Sequence, residues 1–99
     1  GRKMDVTEAM HYGLVNRQCK SEDLIDQALA WAQEIAQSAP LSLAAIKAIT
    51  KETQSMDLEQ AYLHMRSNIP VYKTMLKSED ANEGPLAFAE KREPVWKGK

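Results

Sequence analysis

Apolar positions recur along this chain at three- and four-residue steps, the period of amphipathic helices rather than the alternation of strands. The clearest stripe is Leu24, Ile25, Ala28, Leu29, Ala32, Ile35 and Ala36, with Asp26, Gln27, Gln33, Glu34 and Gln37 on the opposite side. Ser21 stands where an N-cap belongs, and Glu22 and Asp23 meet the positive end of the helix dipole. Trp31 edges the stripe and is expected to pack under a neighbour. Upstream, Asp5 and Glu8 have capping-box spacing, Val6, Ala9 and Met10 share a face, and Gly13 supplies a left-handed stop. Residues 14–18 then read as one brief extended segment, too short to form a sheet of its own.

Pro40 suits the first position of the next helix, which runs from Leu41 to about Gln54. Leu41, Leu43, Ala44, Ala45, Ile46, Ala48 and Ile49 place apolar groups nearly all round it, as in a central helix. Lys47 reads there as a lysine that buries its stem. Asp57 and Gln60 form another capping box, followed by Leu58, Ala61, Tyr62, Met65, Ile69, Tyr72 and Leu76 at helical steps. Pro70 falls inside that run and removes one amide, so a kinked helix is expected. Ser78 begins the last helix, with Glu79, Asp80 and Glu83 near its start and Lys91 and Arg92 at its end. Gly84-Pro85 is expected to interrupt it and Pro94 to stop it, while Trp96 calls for a tail that folds back or docks.

Composition changes this picture only by exclusion. Thirteen Lys+Arg against fourteen Asp+Glu leave a net charge of −1 over 99 residues, which excludes the basic excess of a nucleic-acid binder. No helix carries the clustered basic face of a DNA-recognition element, and no apolar run approaches a membrane span. Cys19 is alone, so no internal disulfide forms and a reducing, cytoplasmic location is expected. The four glycines build no phosphate loop. His11 and His64 are far apart and lack ligand-spaced partners, so no metal site is expected. Each carboxylate reads as a cap, a dipole partner or a solvated group, and no catalytic constellation is complete.

One stretch departs from generic helix chemistry: SEDANEGPLAFAEKREPVWKG, Ser78 to Gly98. It resembles the C-terminal signature of the crotonase superfamily, the enoyl-CoA hydratase/isomerase enzymes, which reads SEDxxEGxxAFxEKRxPxWxG. Gly1-Arg2-Lys3-Met4-Asp5 with Glu8-Ala9 and Gly13-Leu14-Val15-Asn16, then Ser38-Ala39-Pro40-Leu41 with Ile46-Lys47, resemble preceding family segments in the same order. Pro85 replaces the aliphatic residue common in the family.

The resemblance implies a mainly α chain, the helical C-terminal, oligomerisation domain of a crotonase fold. Residues 1–18 would be the end of the core and 19–99 the helical domain. It implies a parent enzyme acting on an acyl-CoA thioester by adding or eliminating water at the α,β double bond, or by isomerisation. Coenzyme A enters as part of the substrate, and no cofactor is implied. In the family, two backbone amides hold the thioester oxygen and two acids handle water, stabilising an enolate-like charge. By motif order these groups lie upstream of Gly1, so no catalytic residue is expected in this chain, which alone should be inactive. Family C-terminal helices assemble trimers or hexamers and cover a coenzyme A site. Phe88 and Lys91, spaced i, i+3, are the matching candidates for a coenzyme A contact, the ring for adenine and the cation for a phosphate. The alternative assignments are a core anchor for Phe88 and a dipole partner for Lys91. A stand-alone helical module that associates with itself or a partner, without catalysis, is the other reading of the same faces.

Overall fold

A computed structural model describes residues 1–99. The chain is mainly α, with no strand: α1 (Val6–His11), a 3-10 turn (Ser21–Asp23), α2 (Leu24–Ala36), α3 (Pro40–Thr53), α4 (Leu58–Asn68), α5 (Pro70–Lys77) and α6 (Glu79–Glu90). Contacts divide it into two units, Gly1–Glu34 and Ile35–Lys99.

In the first unit Asp5 caps α1, its Oδ1 accepting from the Glu8 amide at 2.8 Å. The reciprocal half of the box is not made, because the Glu8 carboxylate pairs with Arg2 instead. That guanidinium holds Glu8 below the usual carboxylate range. Gly13 ends the helix at φ 73°, with its amide on Met10 O and that of Leu14 on Ala9 O. Residues 14–18 are irregular rather than paired in a ladder. Ser21 does not cap α2: the 3-10 turn enters it from Lys20, with no side-chain acceptor. The Trp31 ring lies under Arg17, whose guanidinium carbon is 4.0 Å from the ring centroid. No residue of this unit is buried. The α2 stripe is as amphipathic as the sequence indicates, yet Leu24, Ile25 and Leu29 face solvent at 57%, 68% and 57% exposure.

In the second unit α3 packs chiefly on α5 and also on α4, while α5 touches α6. Only Ala45 of α3 is buried, and Ile46 is 59% exposed. This helix therefore buries one side only, and Lys47 lies exposed on it. At Pro70 the chain breaks rather than kinks. The residue before a proline is driven out of the helical region by the ring. Ile69 accordingly takes φ −96° and ψ 102°, and it is the largest fully buried side chain of the molecule. His64 joins α3 to α4, with Nε2 2.9 Å from Glu52 and Nδ1 3.1 Å from Asn68. Gly84-Pro85 does not interrupt α6, which runs unbroken with Pro85 inside. Pro85 is exposed, so the Ala81 carbonyl that loses its amide lies on the water-facing side.

Candidate functional site

The chemistry-bearing residues of the second unit gather along α6 and the tail that returns over it. Ser78 caps the helix, its Oγ accepting from the Ala81 amide at 3.1 Å. Asp80, in the first turn, is buried at 4% exposure. Its Oδ1 accepts from the Lys97 amide at 2.7 Å and its Oδ2 from the Gly98 amide at 2.9 Å. Lys97 Nζ reaches Glu79 at 2.7 Å, and the Glu79 amide donates to Lys99 O at 2.7 Å. That pairing lowers the Glu79 carboxyl and raises the Lys97 ammonium from their ordinary values.

Glu83 holds the tail one turn further on. The Arg92 guanidinium forks onto it at 2.6 and 2.9 Å, and Val95 N–H donates to it at 2.7 Å. The guanidinium, followed by that amide, holds the carboxyl down to about 2. Arg92 Nε also reaches Glu90 at 2.6 Å, and Glu83 then Glu90 raise the guanidinium further. Above these polar ties lies Trp96. Its Nε1 donates to Gln37 O at 2.7 Å, and its ring covers Gly84. Each acidic, glycine and tryptophan position in the SEDxxEG…WxG pattern is thus one fastening of a strap. A helix-dipole account of Asp80 and Glu83 misses this. The signal available was their fixed spacing from the tail residues that they hold.

Phe88 stands on the last turn of α6 at 87% exposure and anchors no core within this chain. Lys91 has left the helix: at φ 56° and ψ 41° it is the left-handed cap residue. The shared helix face that i, i+3 spacing implies therefore does not extend to it. Arg92 is the ion-pair residue.

Nothing here assembles two facing acids. The buried carboxylate, Asp80, spends both oxygens on backbone amides, and Glu83 is engaged by Arg92. The first unit has an open concavity of about 410 Å³ lined by Met10, Arg17, Cys19, Leu24, Ala28 and Trp31, which contains no acid. No group of three or more His, Cys, Asp or Glu side chains is placed to hold a metal ion. No helix is long and apolar enough to cross a membrane.

A family model described as enoyl-CoA hydratase/isomerase matches residues 1–99. Carnitinyl-CoA dehydratases of Escherichia coli and Shigella flexneri are each 50% identical to this chain over 100 residues. Those matches take in 100% of this chain and 38% of each relative. Among solved structures, an enoyl-CoA hydratase from Mycobacterium marinum superposes with a TM-score of 0.82 at 32% identity, covering 97% of this chain and 37% of that one. One from Bacillus anthracis gives 0.81 at 31% identity, covering 100% and 37%.

Proposed function

Because this chain belongs to the enoyl-CoA hydratase/isomerase family, we propose that it serves an enzyme that adds water to, or removes it from, the α,β double bond of an acyl-CoA thioester. It corresponds to the helical C-terminal part of the crotonase fold. Within the enzyme, these helices gather subunits into a trimer or hexamer and cover the coenzyme A site. Residues 1–18 are the end of the core in this reading, and 19–99 the helical domain.

The observation that carries the proposal is 50% identity across the whole chain to dehydratases of carnitinyl-CoA. Carnitinyl-CoA is accordingly the first substrate to test. Phe88 and Lys91 support the covering role: an exposed ring suits an adenine face, and a cation without an ion-pair partner suits a phosphate. The bond-making groups belong to polypeptide outside these 99 residues, since the tail occupies the carboxylates best shielded from water. Water chemistry there depends on donors fixed around an enolate-like charge. A cytoplasmic location accords with a lone, exposed Cys19.

The test compares the full-length polypeptide with residues 1–99 alone, each given carnitinyl-CoA and crotonyl-CoA, while absorbance of the conjugated enoyl thioester is followed. Turnover is expected from the first and none from the second. Turnover by the 99-residue chain would overturn the assignment of the catalytic groups elsewhere. No turnover by the full-length protein on any enoyl-CoA would leave the non-catalytic association module as the better reading.

A further inference from the structure

The concavity of the first unit, about 410 Å³, has apolar walls in Met10, Leu24, Ala28 and Trp31, and Arg17 is its one charged lining residue. All of its residues lie within Gly1–Glu34, and the fastening of the tail uses none of them. The half-buried Trp31 ring already presents its π-face to a cation, since the Arg17 guanidinium carbon sits 4.0 Å from the ring centroid. An indole face attracts positive charge more strongly than the ring of phenylalanine or tyrosine does.

Arg17 holds that place loosely. Its Nη2 approaches Glu34 only at 3.5 Å, and both side chains are more than half exposed, so the pair contributes little. A guanidinium also carries five N–H donors, which water satisfies and an apolar wall does not. A quaternary ammonium group has no N–H donor to satisfy. Its methyl groups suit the contacts that Met10, Leu24 and Ala28 offer, and its charge suits the ring face, so it needs no carboxylate. Carnitinyl-CoA carries such a group: a trimethylammonium on the carbon next to the one that bears its hydroxyl.

Resting on the reading that the full-length enzyme acts on carnitinyl-CoA, we propose that Trp31 is a specificity residue whose ring face receives the trimethylammonium group of the acyl chain, and that Arg17 occupies that face in its absence. When the substrate binds, the guanidinium leaves the ring for water and Glu34. One cation thus replaces another, and like charges do not share the concavity.

The experiment measures Tm, kcat and KM of the full-length polypeptide with carnitinyl-CoA and with its uncharged isostere, 3-hydroxy-5,5-dimethylhexanoyl-CoA, in which carbon replaces the quaternary nitrogen. Trp31→Leu should raise KM for carnitinyl-CoA roughly three- to thirtyfold, with kcat kept and KM for the isostere changed by less than about twofold. Arg17→Gln should lower KM for carnitinyl-CoA severalfold, because the competing cation is gone. Where Trp31→Leu does not fold, progressively fluorinated tryptophan in a Trp96→Phe background weakens the ring face while keeping its shape, and KM for carnitinyl-CoA alone should rise stepwise. Equal rises in both KM values overturn the proposal, since Trp31 would then pack against any acyl group. A lowered Tm with both KM values unchanged also overturns it, because the concavity would then be filled by the rest of the polypeptide. So does turnover of crotonyl-CoA without turnover of carnitinyl-CoA. A carnitinyl-CoA KM that does not fall in Arg17→Gln overturns the place-holding role of Arg17. Turnover of neither thioester by the unsubstituted protein overturns instead the proposed function on which this inference rests.

Discussion

A methyl group added at Gly84 would lie 3.3 Å from Cη2 of Trp96, closer than ordinary van der Waals contact. The ring cannot retreat freely, because its Nε1 is tied to Gln37 O at 2.7 Å. Gly84→Val should therefore displace Trp96 from α6. In a Trp31→Phe background, which leaves one tryptophan, its emission excited at the red edge of the tryptophan band should shift to the red; unchanged emission would show that the ring does not rest there. Asp80→Ala removes the acceptor of two tail amides and should cost about 1–3 kcal/mol, read from urea unfolding with equal slopes. Glu83 gives this strap a pH dependence of known sign. Its folded-state value, about 2, lies below the ordinary 4.5, so its contribution is complete above about 4.5 and is lost as pH falls toward 2. Trp96 emission should stay constant from neutral pH to about 4.5 and change below it. Glu83→Gln should remove that contribution at neutral pH. Capping by Asp5 and Asp57, whose Oδ1 atoms accept from the Glu8 and Gln60 amides at 2.8 Å each, was readable from sequence, since a cap and its amide are three residues apart. The fastening of Asp80 to Gly98 was not: the two are 18 positions apart and meet only when the tail returns.

At the level of elements, proline acts differently in its two contexts. Pro70 follows Ile69, whose burial fixes an extended backbone, and the helical stripe splits there into α4 and α5. Pro85 sits within α6, between a side-chain cap at Ser78 and the left-handed cap at Lys91, and the strap braces the helix along its length. The helix therefore survives the loss of one hydrogen bond. Periodicity shows that apolar positions continue past a proline, but the packing of the preceding residue decides between kink and break. Ile69→Ala should accordingly be the most damaging aliphatic truncation, costing about 2–5 kcal/mol by urea denaturation. An equal loss from truncating the exposed Leu58 would contradict this account.

For the whole molecule, the decisive quantity is how little is covered. The buried apolar residues are Ala39, Ala45, Ile69 and Ala87, three of them alanines. Leu14, Ile25, Leu58, Phe88 and Val95 are all more than 60% exposed. Burial of a large aliphatic or aromatic side chain contributes about 1.5–3 kcal/mol, so these groups supply a strong incentive to associate. Residues 1–99 in isolation should self-associate, and light scattering at rising concentration should report masses above the 11.1 kDa monomer. A clean monomer at high concentration would contradict that expectation.

The sequence by itself determined the helical class and the places where most helices start and stop, because hydrogen bonds and caps within a helix link residues three or four apart, and its Ser78–Gly98 signature pointed to the family. It also marked the apolar stripes, since those follow the same short period. Only the tertiary structure decided which stripes are covered, that Asp80 and Glu83 fasten the tail, and that Lys91 takes a left-handed backbone. Each of these depends on distant segments meeting or on how a chain end is braced, and side-chain spacing along one helix carries no record of either.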